Sequence, residues 1–179
     1  MFKSLMIALA LAASGPAESE IKMVQDWGIY ENDDGSGCTM LQAFNDRQSG
    51  KVSVLHLDFS AKDKDASVGF SNFTATSLQT GETKSLKIVF LGARGSFDDG
   101  WEERDFRVYV NDEGARTFLS ERLDRELLDD FAKNTVIGFF TGETLVSSFE
   151  LKGSAEAVRE LERCSFRVQG LNIKDPFLR

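Results

Sequence analysis

His56, Asp58 and Ser60 follow one another at spacings of two, and together they offer the imidazole, carboxylate and hydroxyl that nucleophilic hydrolysis uses. Alternate residues of a strand project in parallel from points about 6 to 7 Å apart, whereas a base must reach its nucleophile at about 2.6 to 3.2 Å. The three therefore read as one solvated strand face. The loop Asn32-x-Asp34-x-Ser36-Gly37 matches the first half of a calcium loop, with glycine at the sixth place where the chain must turn sharply. Its second half fails, because the twelfth place, which should be a bidentate glutamate, is Ala43. Asp98-Asp99-Gly100, with Glu102 and Glu103 beyond Trp101, is a second acidic loop. A weak cation site would involve Asn32, Asp34 and Asp98, but such residues are also those that turns select for backbone shape. Asp98 and Glu102 could be drafted as a glycosidase pair, although spacing across the fold is invisible in sequence. Gly92-Ala93-Arg94-Gly95 is too short for a phosphate loop and lacks its lysine and hydroxyl. These residues support no catalytic assignment, no metal and no cofactor.

The chain has two cysteines, Cys38 and Cys164, and His56 is its one histidine. A redox pair is more often C-x-x-C, and a metal site would need further thiols or imidazoles. An even count in an exported chain reads as a disulfide. The pair is 126 positions apart, and closing so long a loop stabilises a fold by about 5 kcal/mol in the chain-entropy model.

Export is read from the N-terminus. Lys3 is followed by the apolar run from Leu5 to Ala13 and then by Ser14, Gly15, Pro16 and Ala17, the three parts of a secretory signal peptide. The run is shorter than the roughly 20 residues a membrane span requires, so the expectation is a signal peptide at 1–17 and one β-rich domain at 18–179, without a transmembrane segment. The compartment is then periplasmic or secreted. A formal net charge of -8 opposes binding to phosphate backbones, which leaves no nucleic acid among the expected partners.

The elements that must position these groups are mostly strands. Trp27 to Tyr30, Cys38 to Phe44, Val52 to Phe59 and the stretch with Phe106, Val108 and Val110 alternate apolar and polar residues. Leu55, Leu57 and Phe59 mark a core face. Thr80-Gly81-Glu82-Thr83 and Thr141-Gly142-Glu143-Thr144 repeat one turn chemistry, which predicts two hairpins, Val68 to Ser77 with Leu86 to Phe90 and Val136 to Phe140 with Leu145 to Leu151. A helix is predicted from an N-cap at Ser120, burying Leu123, Leu127, Leu128 and Phe131 across the sheet. A second is predicted from an N-cap at Ser154, with Ala155, Val158, Leu161 and Cys164 on one face. The tail from Phe166 is apolar enough to form an edge strand or a cover, with Pro176 ending regular pairing.

Fifteen phenylalanines are many for 179 residues. Phe139 and Phe140, adjacent in a strand, must point to opposite faces, and one of them needs cover. Phe70, Phe73, Phe140 and Tyr109 are the candidates for an exposed aromatic interaction surface toward a protein or envelope partner. Asn72-Phe73-Thr74 is a formal glycosylation sequon, relevant only in a eukaryotic secretory pathway.

The stretch Phe149-Glu150-Leu151-Lys152-Gly153-Ser154-x-x-Ala157-Val158-x-x-Leu161-x-x-Cys164, with Trp27 and Cys38 earlier, resembles small exported alphaproteobacterial proteins of the invasion-associated locus B-like kind. The resemblance implies a periplasmic or secreted β-rich domain and no active site. The expected fold class is α+β, mainly antiparallel β, a sandwich or partly closed barrel with two amphipathic helices. The expected function is a noncatalytic binding or accessory module, against a carboxylate-based hydrolase and a structural envelope-maintenance protein.

Overall fold

The structure is a computed structural model that describes residues 20–45, 50–92, 100–112 and 114–171. The signal peptide at 1–17, the loop acids Asp98 and Asp99, Ala93 to Gly95 and the tail residues Ile173, Pro176 and Phe177 lie outside these residues.

The strands are β1 (Lys22–Val24), β2 (Trp27–Glu31), β3 (Cys38–Asn45), β4 (Val52–Ser60), β5 (Asp65–Asn72), β6 (Thr83–Gly92), β7 (Arg104–Val110), β8 (Arg116–Ser120) and β9 (Leu123–Asp124). Helix α1 (Glu126–Lys133), strands β10 (Asn134–Thr141) and β11 (Thr144–Glu150) and helix α2 (Ser154–Val168) follow. All pairings are antiparallel, in the order β1-β2-β3-β4-β5-β8-β7-β6-β10-β11, with β9 beside β5. The fold is a mainly antiparallel sheet with two amphipathic helices, and the sheet is not closed.

The sheet curls because its aromatic residues fill one shared interior. Phe70 of β5 and Phe139 of β10 are separated by three strands in the sheet order, yet their rings stack at 4.1 Å between centroids. Phe118 stacks on the other ring neighbour, Phe70, at 4.8 Å, and Phe106 meets Phe139 edge-on at 5.8 Å. Phe44 of β3 touches Phe149 of the last strand at 5.1 Å. Offset and edge-on rings are the arrangements the aromatic quadrupole favours. Asn72 adds a polar tie across the same gap, donating from Nδ2 to the Val146 carbonyl at 3.1 Å and to Ser147 Oγ at 2.9 Å. Its Oδ1 accepts from Thr74 N, Thr74 Oγ1 and Ala75 N. The sequon asparagine is thus buried and fully engaged.

Helix α2 packs along β2 and β3, α1 lies against β10 and β6, and the helices touch. Cys38 and Cys164 form the disulfide, with Cα atoms 6.0 Å apart, and it joins β3 to α2. Trp27 Nε1 donates to the Lys152 carbonyl at 3.0 Å, and Ser154 Oγ donates to the Phe131 carbonyl at 2.6 Å. Ser154 is therefore a tie between the helices, and Gly153, with φ of 77°, occupies the cap position. Val158, Leu161 and Cys164 are buried as their spacing predicts, whereas Ala155 is only partly buried and Ala157 takes the inward place beside them.

Several expectations need correction. Thr80 to Thr83 does not join β5 to β6 in a hairpin: β5 pairs β4 and β8, whereas β6 pairs β7 and β10. The turn docks on β7 instead, with Gly81 N donating to the Val108 carbonyl. The second predicted hairpin, β10 with β11, forms. Ser120 ends β8 and does not start a helix; its Oγ accepts from Val68 N at 3.0 Å. Leu123 pairs with Ala66 in β9, and α1 begins only at Glu126. Residues Phe166 to Val168 are the last turn of α2, not an edge strand.

One glycine is dictated by a close approach. A Cβ on Gly37 would overlap the Phe59 carbonyl of β4. Gly37→Ala is expected to force a backbone shift and destabilise by about 1–3 kcal/mol, read as a lower urea midpoint at unchanged slope.

Candidate functional site

Beyond the interior, the outward face of β2 to β5 carries an open groove of about 470 Å³. Leu41, Val54 and Leu119 supply its apolar surface, and Tyr30, Thr39, His56, Asp58 and Ser67 its polar one, with Glu121 and Arg122 at the turn after β8. The strand register creates it. His56 lies opposite Gly69 across the β4–β5 pair, and a Cβ on Gly69 would overlap the imidazole Cε1 and Nε2. The missing side chain lets the ring lie down on the neighbouring strand. Gly69 thus shapes the candidate site, and sequence reasoning did not single it out.

Burial holds the His56 imidazole down to a pKa of about 4, so at neutral pH it is uncharged, with one donor and one acceptor nitrogen. Among the described residues it has no hydrogen-bond partner, and its ring opens to the groove. Asp58, two residues on, is pushed up by burial and held back by the Arg122 guanidinium and by Asn32. Asn32 Nδ2 donates to Asp58 Oδ1 at 3.3 Å. Arg122 stands 3.6 Å from Asp58 Oδ2 and 3.6 Å from Asp65 Oδ1, shared between two carboxylates without a short contact to either. Tyr30 is raised chiefly by burial, with the Thr39 side chain opposing.

The depressed imidazole has a consequence for stability. The unfolded chain takes up this proton below an ordinary histidine pKa of about 6.5, and the folded chain only near 4. The contribution of neutral His56 is therefore complete above about pH 6.5 and is lost progressively toward pH 4. Asp58 acts with the opposite sign, since its raised pKa favours proton uptake by the folded state. Comparison with His56→Gln isolates the histidine: the stability advantage of the wild type should shrink on acidification from pH 7 to pH 4. A difference constant across that range would contradict the buried, unpartnered ring.

The sequence-predicted constellations separate in space. Ser60 Oγ donates to Asp63 Oδ2 at 2.7 Å and accepts from Gln169 Nε2 at 3.1 Å, so it serves a turn and the end of α2 rather than His56. In the loop after β2, Asn32 Oδ1 accepts from Thr39 Oγ1 at 2.8 Å and Asp34 Oδ1 accepts from Ser36 N at 2.8 Å. The hydrogen bonds from Ser36 hold the exposed Asp34 carboxyl below its ordinary pKa. The oxygens that calcium would need are turned to the loop itself and to the groove. Among the described residues, no three histidine, cysteine or acidic side chains gather into a metal-binding group.

The proposed aromatic patch needs correction at Phe70. That ring is 0% exposed and stacks inside the shell, because it shares the inward face with Ala66 and Val68. Phe73 is half-buried with Lys51 Nζ 4.6 Å above its ring. Phe140 is half-buried, folded back over Gly138 toward Leu145. Tyr109 on β7 is 41% exposed. Phe139 finds its cover in rings from β5, β7 and β11 across the interior, not in the helix after Ser120.

No family model matches the sequence, and no curated protein matches it. The crystal structure of invasion associated protein B from Bartonella henselae is similar, with a TM-score of 0.54 at 14% identity, over 80% of this chain and 96% of that one. At that identity the likeness is one of fold.

Proposed function

We propose that the protein is an exported, noncatalytic binding module, a disulfide-tied β shell that holds its ligand in the groove over His56 and acts as an accessory component in the periplasm or outside the cell. The observation that carries this reading is the groove itself, in which Leu41, Val54 and Leu119 flank an imidazole that bonds to no protein group among the described residues and so leaves its nitrogens open to a ligand. The disulfide supports an oxidising compartment. The fold shared with an invasion associated protein is compatible with an accessory role. A carboxylate-based hydrolase would need a second acid paired with Asp58, but the partners of Asp58 are Asn32 and Arg122, and Glu121, the other acid of the groove, is exposed at the turn after β8.

The test is an amide NMR titration of the untagged mature protein with a fragment mixture containing cationic, neutral and anionic compounds. The reading expects shifts gathered on Leu41, His56, Gly69 and Leu119, with no compound consumed. Absence of any shift there would favour the envelope-maintenance alternative, and turnover of a glycoside or ester in the mixture would favour the hydrolase.

A further inference from the structure

The groove has a chemical bias that narrows its ligand. Its lining holds two carboxylates, Asp58 and Glu121, against one guanidinium, Arg122. Arg122 also faces Asp65, whose Oδ1 is buried and has no hydrogen-bond partner. At 3.6 Å to each acid, the guanidinium neutralises neither with the short charge-assisted contact that stabilises such pairs most. Asp58 is half-buried and turned to the groove, with Oδ1 accepting from Asn32 and Oδ2 facing the Arg122 guanidinium at 3.6 Å, a distance that leaves room for a shorter contact to a ligand. Beside it stand the hydroxyls of Tyr30 and Thr39, and along the groove the apolar side chains of Leu41, Val54 and Leu119 flank the imidazole.

Resting on the binding reading above, we propose that the groove selects a small organic amine, its ammonium on Asp58 and its apolar body along Leu41, Val54 and Leu119 beside His56. An ammonium can approach Asp58 Oδ2 more closely than the 3.6 Å at which Arg122 stands, and it corrects the negative balance of the lining. The imidazole, kept uncharged by burial, neither repels the cation nor competes for the carboxylate. The volume, about 470 Å³, is in the range of small-ligand clefts.

The experiment titrates the untagged mature protein with cyclohexylmethylamine and 1,4-diaminobutane, with N-acetylcyclohexylmethylamine and N,N'-diacetyl-1,4-diaminobutane as neutral controls and cyclohexanecarboxylate as the anionic one. The amines should shift the His56 and Gly69 amides saturably, and acetylation should weaken binding at least tenfold. Asp58→Asn should weaken amine binding at least tenfold while its melting curve stays cooperative. Glu143→Gln, in the distant β10–β11 turn, should bind as the wild type does. Equal binding of amine and N-acetyl compound, or undiminished binding to Asp58→Asn, would overturn the amine assignment. Groove shifts from the neutral or anionic compounds alone would sink this inference and leave the binding reading standing, whereas silence of the groove toward every charge class would sink both.

Discussion

Replacing both cysteines, Cys38→Ala with Cys164→Ala, should lower the melting temperature by about 10–20 °C. That figure follows from about 5 kcal/mol for a loop this long and from roughly 2–4 °C per kcal/mol for a domain of this size. Alanine is the proper substitute because both sulfur atoms are buried, and serine would leave buried hydroxyls in need of partners. The bond joins β3 to α2, and α2 and its C-cap also reach the sheet through Ser165 to the Phe59 carbonyl, Arg167 to Glu31 and Gln169 to Ser60. Those contacts should keep the variant folded at low temperature but easily melted. Reduction of the wild type with dithiothreitol should reproduce the same fall. A drop of less than about 2 °C by either route would show that the crosslink constrains little of the unfolded chain.

Phe139→Ala should cost about 3–5 kcal/mol, the range for removing a large buried aromatic. The ring is 0% exposed and touches Phe70, Phe106 and Phe149 from three other strands. Truncating it opens a cavity where β5 and β10 meet without being hydrogen-bonded neighbours, so the surrounding strands cannot collapse into the space. Phe140→Ala, one residue on and facing outward, should cost no more than about 1 kcal/mol. Urea unfolding of the two variants decides the matter. Equal losses would mean that the shell is not filled by interleaved rings.

The reading from sequence succeeds where one local rule suffices. Alternation in β4 places Leu55, Leu57 and Phe59 inward, and a four-residue turn with Gly142 closes the β10–β11 hairpin. The sulfur atoms were legible because only one pairing exists. It fails where a local pattern admits two long-range partners. Thr80 to Thr83 has the chemistry of a hairpin turn, but the next strand, β6, finds its neighbours in β7 and β10, which lie later in the chain. Leu123, Leu127 and Phe131 do fall at helical spacing, yet Ser120 pairs with Phe106 of β7 and Leu123 with Ala66 of β5 before α1 can start. The groove was less legible still. His56 and Asp58 were visible as a pair on one strand face, but Gly69, Leu119 and Arg122 join them only through pairings across β4, β5 and β8 and the turn beyond. A glycine directly opposite a histidine is the signal that would have found it, and that signal needs the register.

The most direct measurement is made possible by the chain's single histidine. Its imidazole resonances, followed in the untagged protein from pH 7.5 downward and again with a groove-binding amine present, report one ring without assignment by mutation. The account predicts a neutral ring that protonates only near pH 4 and whose nitrogen signals move when the amine is added. A midpoint near 6.5, or resonances indifferent to every compound that binds, would contradict it.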